Sequence, residues 1–145
     1  MNTPVQAVVV RRFSQPAARV FDAWLDTAFL SRWMFGPKVR DEKIVRLTLD
    51  ARVGGSFSFV VDRNGDEVDH VGEYLEIDRP RLLVFTWATR DTLPETSRVV
   101  VEISPLEDGC ELRLTHEMGA DWAEYVDAAA GSWHRMLDAL DITLA

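Results

Sequence analysis

The chain has 145 residues, 47% of them hydrophobic and 28% charged, with a formal net charge of −8. That composition is ordinary for a globular protein, and the length suits one domain, residues 1–145, around one core. The acidic balance, with no run of lysines and arginines, argues against nucleic acid or an anionic membrane surface as a partner.

Val5, Ala7, Val9 and Phe13 share one face of a first strand over 5–13, with Val8 and Val10 opposite, which predicts burial on much of both sides. Pro16 then opens a short helix whose apolar face is Val20, Phe21, Trp24 and Leu25. Asp26 and Thr27 are capping residues for a second short helix carrying Phe29, Leu30 and Trp33, and Gly36-Pro37 ends it. From residue 43 the period becomes two: Val45, Leu47 and Leu49 alternate, Gly54-Gly55 permits a reversal, and Phe57, Phe59 and Val61 follow. Asn64-Gly65 is a strong hairpin signal. The return strand places His70, Gly72 and Tyr74 on one face and Val71, Leu75 and Ile77 on the other. Asp78-Arg79-Pro80 turns the chain into Leu83, Phe85 and Trp87, and the polar stretch 89–96 reads as a loop. Val99, Val101 and Ile103 alternate, Asp108-Gly109 reverses direction, and Leu112, Leu114 and His116 alternate again.

The last stretch, Asp121 to Leu144, has helical spacing. Trp122, Val126, Ala129, Trp133, Met136, Leu137, Leu140 and Leu144 form one apolar stripe, opposite Glu124, Asp127, Arg135, Asp138 and Asp141. Asp121 and Glu124 have capping-box spacing. Gly131, costly in mid-helix by about 1 kcal/mol, is read as a site of close packing. The fold class that follows is α+β, in the order β-α-α-β-β-β-β-β-β-α. Six hairpin-linked strands form a curved antiparallel sheet, with the long helix across its concave face and space for a pocket between them.

Chemical signatures are sparse. The three histidines lie on three elements and Cys110 is the single cysteine, so no metal-ligand spacing, disulfide or thiolate cluster exists, and no cofactor is expected. There is no Gly-x-Ser-x-Gly elbow and no phosphate-binding glycine loop. No leader and no apolar run of about 18 residues is found, so membrane insertion is not expected and a cytoplasmic setting is. A homodimer is left open.

Several stretches carry a family resemblance: Val20-Phe21-Asp22-Ala23-Trp24, Trp33-Met34-Phe35-Gly36-Pro37, Val53-Gly54-Gly55-Ser56-Phe57 and Glu76-Ile77-Asp78-Arg79-Pro80. Phe85-Thr86-Trp87, Leu112-Arg113-Leu114-Thr115-His116, and Gly131-Ser132-Trp133 with Leu137 and Leu140 continue it. In this order they resemble the helix-grip superfamily of START-like (SRPBCC) proteins. Within it, they are similar to the group named after the activator of the heat-shock-protein-90 ATPase. The resemblance implies a hydrophobic cavity beneath the C-terminal helix, open at one end. Members of the wider superfamily bind lipids, hormones and polyketides, and some are enzymes. The chaperone activator itself carries an additional N-terminal chaperone-binding domain. This sequence begins at the first strand, so a chaperone partner is not expected here.

The aromatic residues Phe59, Tyr74, Phe85, Trp87 and Trp133 are either the wall of such a cavity or the filling of a core. Trp33, Phe35, Val101, Leu114, Met136 and Leu137 complete the apolar candidates, and His70 and His116 are candidate polar anchors or structural histidines. The leading expectation is a binding protein for a small hydrophobic or aromatic ligand, with no catalytic residue assigned. An enzyme of cyclase, dehydratase or hydrolase type is the alternative. It requires His116, Tyr74 or Glu73 to converge on one point. A chaperone or stress-related interaction module is the third, and requires a large apolar patch outside the pocket.

Overall fold

The alternating stretches all form strands in a computed structural model of the chain, which describes residues 3–145. The elements are β1 (Val5–Phe13), α1 (Ala17–Asp22), α2 (Thr27–Trp33), β2 (Lys43–Leu49), β3 (Ser56–Arg63), β4 (Asp66–Asp78), β5 (Leu82–Thr89), β6 (Ser97–Leu106), β7 (Gly109–Met118) and α3 (Val126–Leu144). Strands β2 to β7 pair as a meander, and β1 adds antiparallel to β7, giving the order β1-β7-β6-β5-β4-β3-β2. The sheet is curved and open, and α3 lies across its inner face against β1 and α2. This is the helix-grip architecture.

Local chemistry explains the boundaries. The Asp26 carboxylate accepts from the Ala28 N–H at 2.9 Å and so caps α2, while Gly36 leaves the helix at φ 105°. Asn64 and Gly65 take φ of 55° and 91°, as a tight primed hairpin turn requires. Gly72 has a different reason to be glycine: a Cβ there would collide with the Thr86 carbonyl oxygen and the Phe57 ring.

Four expectations are corrected. Val8 and Val10 are 42% and 49% exposed, because β1 is an edge strand with only its inner face covered. A bulge between Ile44 and Arg46 changes the phase of β2, so Val45 points outward and Ile44 joins Leu47 and Leu49 against the core. A second bulge, between Tyr74 and Glu76, turns Ile77 onto the inner face opposite Leu83, leaving Leu75 outside.

The fourth concerns the last helix. Residues Ala120–Tyr125 form a 3₁₀ turn, α3 starts at Val126, and no side chain caps either segment, so the Asp121–Glu124 capping box does not form. Trp122 leaves the buried stripe. Trp133, Met136, Leu137, Leu140 and Leu144 remain on it, each worth about 1.5–3 kcal/mol on full burial. On the flank of α3, Arg11 of β1 bridges Asp138 and Asp141, the latter at 3.0 Å, tying the edge strand to the helix. Gly131 is not a close approach: an added Cβ would meet only the Arg135 guanidinium, at 3.6 Å.

Candidate functional site

Beneath α3 the expected cavity is largely filled. Phe57 and Phe59 stack at 4.7 Å, Tyr74 packs 5.5 Å from Phe57, and Trp24 meets Trp33 edge-on at 4.6 Å. What remains among Trp24, Met34, Phe59, Tyr74 and Phe85 is a void of about 10 Å³, roughly the space for one water. Trp33 donates its Nε1–H to the Ala23 carbonyl at 3.0 Å and so ties α2 to the end of α1. Phe35 packs against the His70 ring at 4.8 Å. Val101 and Leu114 face each other across β6 and β7, fully buried, and Met136 and Leu137 meet the sheet from α3.

The larger space lies further along, between the β5–β6 connection and the start of α3. It is a partly open cavity of about 370 Å³. Trp87, Ser97, His116 and Met118 supply its strand side, Thr92, Glu95 and Thr96 its loop side, and Trp122, Tyr125, Ala128 and Ala129 its helical side. Of the residues expected from sequence, Trp87 and His116 line this cavity. The others named above, with Phe85 and Trp133, lie in the packed interior. The 3₁₀ turn explains the new wall. Three residues per turn place positions i and i+3 directly above one another, so Trp122 and Tyr125 come together at 5.2 Å along one edge of the turn. They are 36% and 49% exposed.

The cavity floor is a fully committed hydrogen-bond chain. The Trp133 Nε1–H donates to His116 Nδ1 at 3.1 Å, which leaves the imidazole proton on Nε2. That Nε2–H donates to Ser97 Oγ at 2.7 Å, and the Ser97 hydroxyl donates to the Trp87 carbonyl at 2.8 Å. Burial pushes the His116 pKa down to about 4, so the ring is neutral at pH 7.

A second buried polar group was not visible from periodicity. Glu42, 4% exposed, accepts from the Gly36 N–H at 2.8 Å, from Arg40 at 3.1 Å and from Arg63 at 2.7 Å. Arg63 also approaches His70 Nε2 at 3.4 Å, and His70 Nδ1–H donates to the Phe59 carbonyl at 3.1 Å. Burial, with the Arg63 charge adding to it, brings the His70 pKa down to about 4. This cluster pins the loop after α2 to β3 and β4. His134 is on the exposed side of α3, 3.9 Å from Asp138. Among the described residues no group of three metal-ligating side chains converges, and no helix is long and apolar enough to cross a membrane.

The family model described as Activator of Hsp90 ATPase homolog 1-like protein matches residues 14–145. The chain belongs to this family. Among solved structures, the chain is similar to protein CV1439 from Chromobacterium violaceum. The two share 25% identity over 94% of each chain, with a TM-score of 0.82. It is similar also to the Mll3558 protein from Rhizobium loti, at 25% identity over 99% of each chain and a TM-score of 0.75. A protein of unknown function, SA2116 from Staphylococcus aureus, shares the fold at 18% identity over 98% of this chain and 94% of that one, with a TM-score of 0.84. No curated protein matches the chain.

Proposed function

We propose that this family member binds a small, largely apolar molecule in the cavity between the β5–β6 connection and the start of α3. The observation that carries the reading is the cavity itself. At about 370 Å³ it falls within the range of roughly 300–1,000 Å³ typical of ligand pockets, with aromatic walls and few polar groups. The ligand enters beside Trp122 and Tyr125 and rests on Trp87, and Ser97 offers it a hydroxyl oxygen. The helix-grip fold, which commonly holds small hydrophobic ligands, supports the same reading.

An acid–base mechanism finds no comparable support. Glu73 is exposed on the outer face, Tyr74 borders the small inner void, and His116 has both ring nitrogens engaged. Burial raises the Tyr74 pKa, which keeps its hydroxyl protonated.

The reading is tested by thermal shift with fatty acids, sterols and aromatic alcohols, paired with native mass spectrometry of the purified protein. A rise in Tm with one class, or a discrete retained mass, is the expected result. A flat response to the whole panel together with a bare-chain mass would overturn it.

A further inference from the structure

The same cavity also has a charge preference written into its wall, and this step rests on the binding reading above. Glu95 is the one charged side chain among the lining residues, since His116 is held neutral. Asp121 and Glu124 lie exposed on the 3₁₀ turn that carries Trp122 and Tyr125, and Asp91 lies exposed on the short turn that also carries the lining residue Thr92. Arg90, the cation of that turn, is directed away to Asp69 at 2.9 Å. The Trp122 and Tyr125 rings are tilted by 51° at a centroid separation of 5.2 Å, forming two sides of an aromatic corner with partly free faces. Aromatic faces carry the negative lobe of the ring quadrupole and attract cations.

Hydrogen bonding on the floor points the same way. The polar hydrogens of Trp133, His116 and Ser97 are all spent inside the protein, on His116, Ser97 and the Trp87 carbonyl. The Thr92 hydroxyl is likewise directed to the Thr89 carbonyl at 2.9 Å. What these groups leave facing the cavity are oxygen lone pairs, which accept and do not donate. A carboxylate or phosphate ligand would find no free donor on this floor, the donors of the wall being confined to Thr96, Trp122 and Tyr125, and would meet like charge at the rim. A ligand that brings its own hydrogens and a positive charge meets both needs.

We infer that the cavity takes an organic cation: an apolar, aromatic-sized body bearing an ammonium group. The body rests on Trp87, and the ammonium lies at the Trp122–Tyr125 corner with Glu95 as its counter-charge.

The test uses three probes sharing one phenylalkyl body, namely phenylbutylamine, phenylbutanol and phenylbutyrate, titrated calorimetrically into the full chain at pH 7.5 and low salt. The amine is expected to bind about tenfold more tightly than the alcohol, and the carboxylate more weakly than both. In Glu95→Gln the amine–alcohol gap should narrow to about threefold, the loss falling chiefly on the amine. An alcohol that binds as tightly as the amine, or a carboxylate that matches it, would overturn the charge assignment and leave the cavity reading standing. A gap of full size in Glu95→Gln would overturn the part given to Glu95. Failure of all three probes would overturn the cavity reading and the charge assignment with it.

Discussion

Protonating His116 in the folded protein would bury a cation and break its bond from Trp133, because Nδ1 would have to give up its acceptor role. Its folded-state pKa of about 4 lies below the ordinary value of 6.5, so the unfolded chain binds more protons between these limits. Stability from this group is therefore complete above about pH 6.5 and is lost as the pH falls towards 4. Worked through linkage, His116 gives up about 2 kcal/mol between pH 7.5 and pH 5. His70, shifted in the same direction to about 4, gives up a similar amount, so the pair accounts for about 4 kcal/mol. His116→Gln is the informative variant. Its amide oxygen can accept from Trp133 and its NH₂ can donate to Ser97, but nothing titrates. Urea denaturation at both pH values should show the wild type losing about 2 kcal/mol more than His116→Gln over this interval. Carboxylates that titrate near pH 5 cancel in the difference. Equal losses in the two proteins would refute the neutral, doubly bonded imidazole.

Other substitutions read other parts of the structure. Glu42→Ala should cost about 3–5 kcal/mol in urea unfolding, because Arg40 and Arg63 lose their shared carboxylate and the Gly36 N–H is orphaned. Glu42→Gln, which keeps an acceptor for Gly36, should recover part of that loss. Gly72→Ala should destabilise by about 1–3 kcal/mol, since its Cβ meets the Thr86 backbone, which cannot rotate away. Gly131→Ala should do the reverse and raise stability by about 0.5–1 kcal/mol, the helix interior there having room for a methyl group.

Much of the fold was legible because its cues are local. Asp26 caps the helix that follows it, Asn64-Gly65 turns where two alternating runs meet, and the Trp133-to-Leu144 stripe needs only periodicity. Bulges were not legible. Each inserts a single residue, and the sequence Ile44-Val45-Arg46 alternates too loosely to show which of the two β-branched side chains turns inward. The site was legible only at Trp87 and His116, which sit on strand faces whose direction alternation fixes. Trp122 and Tyr125 escaped because α and 3₁₀ spacing cannot be told apart over six residues. Under an α-helical reading, Trp122 falls naturally on the buried stripe. Glu42 escaped for another reason. Its partners, Arg40 and Arg63, come from a loop and a strand end separated from each other by twenty-three positions in the numbering, and nothing local marks their meeting. The polar loop 89–96 gave no sign that it walls a cavity, since that role depends on where β7 and α3 bring Met118 and Tyr125.

The central claim is that the space beside Trp87, Trp122 and Tyr125, and not the packed interior beneath α3, is where a ligand binds. The most direct measurement is a calorimetric titration of phenylbutanol into the wild type and into Ala129→Trp. Ala129 lines the cavity from α3 and is only half-buried, so an indole there fills the space without entering the core. Binding by the wild type and a loss of about tenfold or more in Ala129→Trp, with its Tm kept, is the predicted result. Equal affinity in the two proteins would contradict the account.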